Sequence, residues 1–108
     1  MAITLPDPLS EYFTAANTSD EDRIARCFAE DARVHDEKAD FVGRPAIRQW
    51  VIDARKKYTF QSEPFDLEGE ADAPIVHAHV KGDFPGSPLD LTYRFTLANG
   101  EITTLSIS

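Results

Sequence analysis

Cysteine, basic runs and long apolar stretches are all scarce in this chain, and each scarcity removes a class of protein. Cys27 is the only cysteine among 108 residues, which excludes an internal disulfide framework and a cysteine-based zinc cluster. It reads as a small buried hydrophobe. No apolar run approaches the roughly 18 residues that span a bilayer. The opening Met-Ala-Ile-Thr-Leu-Pro-Asp-Pro lacks the basic region and apolar core of a signal peptide, so the expectation is a cytoplasmic protein without a membrane partner. Lys and Arg number 11 against 19 Asp and Glu, a formal charge of -8 spread along the chain. Nucleic-acid binding needs a basic footprint, and none is expected here. The one basic run, Arg55-Lys56-Lys57, reads as a solvated face at a helix C-terminus, where the dipole favours cations.

What is present is the composition of an ordinary globular protein, 42% hydrophobic and 28% charged. Its length suits one domain over residues 1–108, able to bury roughly 65% of the unfolded chain's surface. Asp7-Pro8 reads as an N-cap and first-turn pair, followed by Leu9, Tyr12, Phe13 and Ala16 at helical spacing. Ser19-Asp20-Glu21-Asp22 resembles a capping box ahead of the short stripe Ile24, Cys27 and Phe28. Residues 32–36 alternate, with Val34 and Asp36 on one face and Arg33 and His35 on the other. The polar residues 37–40 then turn the chain into Phe41-Val42. Gly43-Arg44-Pro45 breaks that hairpin and opens a third helix with the stripe Ile47, Trp50, Val51 and Ala54.

Everything after Lys57 reads as sheet. Residues 58–70 form an extended run in which Pro64 implies an edge position or a bulge. Residues 75–83 follow. Leu89, Leu91, Tyr93, Phe95 and Leu97 then make the clearest alternating strand, and Asn99-Gly100 closes a hairpin onto residues 101–107. On the 75–83 strand, Val76, Ala78 and Val80 compete with His77 and His79 for the inner face. The apolar set is the better inner face, leaving the histidines outside with Thr92 and Arg94. The order of two helices, a hairpin, a helix and an antiparallel meander is α+β by segregation.

This order, with Phe28-Ala29-Glu30-Asp31-Ala32-Arg33-Val34-His35-Asp36 and Gly43-Arg44-Pro45-Ala46-Ile47, resembles the nuclear transport factor 2-like superfamily over nearly the whole chain. The nearest likeness is to its ketosteroid isomerase and SnoaL-like polyketide cyclase branches. The resemblance implies a cystatin-like cone-shaped barrel: a curved antiparallel sheet wrapped around the three helices of the N-terminal half. It also implies an apolar pocket, a homodimer through the outer sheet face, and no metal or organic cofactor. An outer face of His, Thr and Arg would make such an interface responsive to pH. In the isomerases an Asp at the end of the first strand moves a proton and a Tyr of the first helix donates to the enolate oxygen. The matching residues here are Asp36 and Tyr12, at the isomerase spacing without a gap.

The departures from that pattern are equally specific. The second oxyanion donor of the isomerases falls on Leu91, and the tyrosines that support the catalytic one fall on Val51 and Phe28. The expected pocket wall is Val34, Trp50, Leu91, Tyr93 and Leu105, with a hydrophobic carbonyl or ring compound as the expected small-molecule partner. Asp36 alone also reads as a strand-end residue bonding its own backbone. Tyr12, Trp50 and Tyr93 alone read as core aromatics. Two function classes therefore stay open: a cofactor-free isomerase or cyclase, and a non-catalytic ligand-binding or dimerisation module whose core is filled by Trp50, Tyr93 and Phe95. A pocket well below the roughly 300 Å³ of typical ligand sites would favour the filled module. A three-histidine metal site is not expected, because His35 would lie three strand spacings from the His77 strand, on the order of 14 Å.

Overall fold

Prolines that precede the first helix accept from N–H groups of its first turn. Tyr12 N–H donates to Pro8 C=O at 2.9 Å and Ser10 N–H to Pro6 C=O at 3.1 Å, so Pro8, not Asp7, stands at the N-cap of α1 (Leu9–Asn17). The computed structural model describes residues 3–18 and 20–108. Ser19 of the expected capping box lies outside them. Asp20 caps α2 (Glu21–Arg26) instead, its carboxylate accepting from Arg23 N–H, which satisfies one of the helix's otherwise unpaired first-turn donors. Cys27 follows α2 as a buried thiol, and burial pushes it up to about 11.

The strands are β1 (Phe28–Asp36), β2 (Ala39–Val42), β3 (Phe60–Glu70), β4 (Ala73–Gly82), β5 (Leu89–Ala98) and β6 (Glu101–Ile107), with α3 (Arg44–Lys57) between β2 and β3. The β1–β2 turn is tighter than the sequence suggested: only Glu37 and Lys38, at φ 50° and 65°, connect Asp36 to Ala39. Gly43 precedes α3 at φ 88°, a backbone conformation that glycine adopts without steric cost. Arg44 then ties α3 to the sheet, donating to Phe28 C=O and to the Glu101 carboxylate, each at 2.8 Å.

The sheet order is β2-β1-β6-β5-β4-β3, and two expectations about it are overturned. It is mixed, because β6 returns beside β1 in parallel, pairing Val34 with Leu105 and His35 with Ser106. It is also open, neither closed into a barrel nor strongly curled. Closure would require the two edge strands to pair around a tilted, staggered ring. Here one edge is the four-residue β2. The other, β3, carries a register shift between Pro64 and Asp66, so Pro64 marks both an edge and a bulge. The outer edge of β3 is occupied in other ways. The Asn17 side-chain amide bonds both the N–H and the C=O of Ser62 at 2.8 Å, as a neighbouring strand would.

The three helices lie against one sheet face. Leu9, Tyr12, Phe13, Ile47 and Val51 pack there against Val76, Ala78, Tyr93, Phe95, Ile102 and Leu105. Edge-on contacts between Tyr12, Phe13, Tyr93 and Phe95, with ring centroids 5.0–6.4 Å apart, fill the centre of this layer. On β4 the apolar set faces inward as its alternation predicts, with Val76, Ala78 and Val80 buried. His77 and His79 face outward.

Candidate functional site

Packing fails to close at one end of the layer, leaving a cavity of about 650 Å³ between α1, α3 and the inner faces of β3–β5. That volume lies within the range of small-molecule sites, so this core is not filled by its own side chains. Of the residues expected from sequence, Tyr12, Asp36, Trp50, Leu91 and Tyr93 line the cavity. Val34 and Leu105 do not reach it. Paired side by side on β1 and β6, they are 0% and 1% exposed beneath the helices.

Asp36 ends β1, where the tight turn begins, and its side chain leans toward α3. There Trp50 Nε1–H donates to Asp36 Oδ2 at 3.1 Å, and the indole packs on Phe41 at 6.0 Å. Burial pushes the Asp36 carboxyl above the usual carboxylate range, with the negative charge of Glu37 acting in the same direction and the Trp50 N–H partly opposing it. The result is a carboxylate more basic than one in water, held in a fixed orientation by a neutral donor.

Two phenols face the same space. Tyr12 is buried on α1, and among the described residues its hydroxyl has no hydrogen-bond partner. Burial is the main reason its pKa stands well above the ordinary tyrosine value, reinforced by Tyr93 and by the Asp36 charge. Tyr93 on β5 is also raised by burial, and its hydroxyl lies 3.3 Å from Ser62 Oγ. Both phenols therefore stay protonated near neutral pH and can donate hydrogen bonds into the cavity.

Sequence reasoning missed Arg55, which it assigned to a solvated face. The guanidinium turns inward, stacks 4.2 Å from the centroid of the Phe60 ring and donates from Nη1 to Phe60 C=O at 2.8 Å. A usable signal was present, since Ile47, Val51 and Arg55 recur every four residues and so share a helical face. Tyr58, Phe60 and Phe84 complete an aromatic rim at this end, with centroids 6.0–6.5 Å apart. They come from a helix end, an edge strand and a proline-rich loop, and no local pattern groups them.

The outer sheet face has a different character. His77 bonds Glu68 at 2.8 Å and Thr92 at 3.2 Å, His79 pairs with Asp90, and His35 pairs with Asp40 at 2.8 Å. Among the described residues the one group of close potential metal ligands is Asp66, Glu68 and His77. It lies on this outer face and includes neither of the other histidines. Among the described residues no helix is long and apolar enough to cross a membrane.

Residues 9–105 match the SnoaL-like domain family. The chain belongs to that family. Among solved structures, a Sinorhizobium meliloti protein named as a "putative polyketide cyclase" is 41% identical, with 96% of this chain and 95% of that one covered and a TM-score of 0.92. A Catenulispora acidiphila protein with a ketosteroid isomerase-like fold, solved in complex with trimethylamine, is 18% identical over 97% of this chain and 86% of its own, with a TM-score of 0.86. A nuclear transport factor 2-like protein from Cytophaga hutchinsonii is 17% identical over 100% and 93%, with a TM-score of 0.76. These two share the fold. A comparison with curated proteins finds no match.

Proposed function

We propose that this SnoaL-like domain binds a hydrophobic ring compound and moves a proton on the carbon next to its carbonyl, as an isomerase or cyclase that needs no metal or organic cofactor. One observation carries the reading: a carboxylate made basic by burial and oriented by Trp50 sits at the wall of an apolar cavity, facing a phenol with no partner of its own. Asp36 would take the proton, breaking the C–H bond and forming O–H on its carboxylate. The released electron pair would move into the carbonyl to give an enolate, whose oxygen Tyr12 stabilises by hydrogen bonding. Return of the proton to another carbon completes an isomerisation. Attack of the enolate carbon on a second carbonyl of the same molecule closes a ring, the oxygen of that carbonyl taking the proton back from Asp36.

The test requires no knowledge of the natural substrate. 2-Tetralone has acidic hydrogens beside its ketone, and NMR in D2O reads their exchange directly. Exchange accelerated by the protein and lost in Asp36→Asn supports the reading; an unaccelerated rate overturns it. A second reading, a ligand-binding module without catalysis, is favoured by Leu91, which puts an apolar wall where the isomerases place their second donor. Removing one such donor typically costs about 10²- to 10³-fold. Saturable ligand binding without exchange would select this second reading. Homodimerisation through the outer sheet face belongs to either one, and sedimentation equilibrium decides it.

A further inference from the structure

Arg55 is a charge without a counter-charge. Among the described residues it forms no ion pair, although it stands in a protein with eight more acidic than basic groups. The other arginines with ion pairs, Arg23, Arg44 and Arg48, each reach a carboxylate within 2.8 Å. Arg55 instead donates one N–H to the Phe60 carbonyl and holds its Cζ over the Phe60 ring. The rest of its N–H fork is left for the cavity. Burial disfavours its charge, and the tyrosines Tyr12 and Tyr93 lie close enough to feel that charge.

A half-buried guanidinium pays a desolvation penalty that a protein acceptor would normally relieve. The other acids that line the cavity are engaged elsewhere: Asp53 accepts from Gln49 at 2.9 Å, and Glu37 lies 4.0 Å from Lys57. Asp36 bonds Trp50, not Arg55. An acceptor carried by a ligand would complete the guanidinium. A planar guanidinium held over an aromatic ring matches a planar carboxylate through two parallel hydrogen bonds, a fit that a flexible ammonium lacks.

We propose that Arg55 anchors a carboxylate on the ligand, so that this cavity selects ring compounds that are acids, with the carboxylate at the Phe60–Arg55 end and the reacting carbon toward Asp36. The proposal rests on the cavity being a ligand site, and it adds the substrate class. Its consequence is directional: a molecule anchored at Arg55 passes Tyr93 and Tyr12 before reaching Asp36, which orders the groups along it.

Calorimetric titration with sodium 2-naphthoate and with 2-naphthamide, a neutral compound of nearly the same shape, tests it. At pH 7.5 the wild-type protein should bind the naphthoate about tenfold tighter or more, the difference expected of a charge-assisted pair. Arg55→Gln should erase that preference while the amide's affinity stays within about twofold, and Arg55→Lys should restore part of it. Equal affinities in the wild-type protein overturn the carboxylate anchor and leave the cavity reading standing, without relying on any variant to fold. Equal weakening of both ligands in Arg55→Gln also overturns it, assigning Arg55 to support of Phe60. Failure of both compounds to bind the wild-type protein overturns the anchor together with the cavity reading beneath it.

Discussion

The two faces of the sheet use the same residue types and reach opposite outcomes. Outside, each histidine stands against a carboxylate: His35 with Asp40, His77 with Glu68 and His79 with Asp90. Thr96 clusters with Thr103 and Thr104 on the same side. Inside, Asp36 meets neutral donors, the N–H of Trp50 and the backbone N–H of Glu37, Arg55 meets a carbonyl and a ring, and the Tyr12 hydroxyl has no partner among the described residues. Pairing a charge in water gains little, whereas leaving one unpaired in a desolvated site costs a great deal. A ligand can complete groups that the protein leaves unpaired, and that is the basis for proposing the site on the inner face.

The largest effect should separate the faces outright. Asp36→Asn removes the proposed base, and general-base catalysis typically contributes about 10²- to 10⁴-fold. A loss of that size is expected in the exchange rate of 2-tetralone measured by NMR. The outer-face variant His79→Asn, tested in the same assay, should leave the rate unchanged. Equal losses in both would erase the distinction. Next in size is Tyr12→Phe, with a loss of about 10²-fold for one oxyanion donor. Because its hydroxyl has no protein partner to lose, thermal stability should stay the same; a fall in Tm with unchanged exchange would place the hydroxyl in the core instead.

A smaller effect concerns Trp50. Its N–H stabilises the Asp36 carboxylate and so holds the pKa down against burial. Trp50→Phe removes that bond, raises the pKa further and moves the acid limb of the exchange rate to higher pH, with a several-fold loss at a fixed pH on that limb. A limb that stays in place would show that the indole does not control the base.

How much of this is readable in the sequence depends on the range of the interaction. Turn chemistry is local, so Asn99-Gly100 closed the last hairpin as expected, with φ 53° and 77°. Alternation fixed the phase of β4, because Val76, Ala78 and Val80 outrank two histidines for the inner face. Alternation assigns a face but not a depth, and so Val34 and Leu105, facing inward as Asp36 and Tyr93 do, finished in solid packing and not at the cavity. The parallel pairing of β1 with β6 and the open edges depend on strands far apart in sequence, and no local pattern encodes them. Arg55 was hidden for a different reason. Its residue type argues for solvent, and only its four-residue spacing from Val51 argued for the interior. Composition outweighed periodicity at a position where the proposed site breaks the rule that charge goes outside.

The smallest expected effects are thermodynamic, and the faces should differ in their sign. An acid whose folded pKa lies above its unfolded one keeps its proton in the native state while the unfolded chain releases it. Stability then falls as pH rises through the ordinary Asp range and on through the folded pKa, and stays lower above it. Asp36 is such an acid, raised by burial. Asp36→Asn keeps an acceptor for the Trp50 N–H and removes the desolvated charge. Its Tm should therefore exceed that of the wild-type protein at pH 7.5, with the gain shrinking as pH is lowered toward the ordinary Asp range. On the outer face, Asp90→Asn breaks only an exposed pair with His79 and should destabilise by no more than about 1 kcal/mol. Differential scanning calorimetry of the three proteins at the two pH values reads both signs. A lower Tm for Asp36→Asn at pH 7.5 would mean that this carboxylate stabilises the fold as its outer-face counterparts do, and its isolation would then carry no functional meaning.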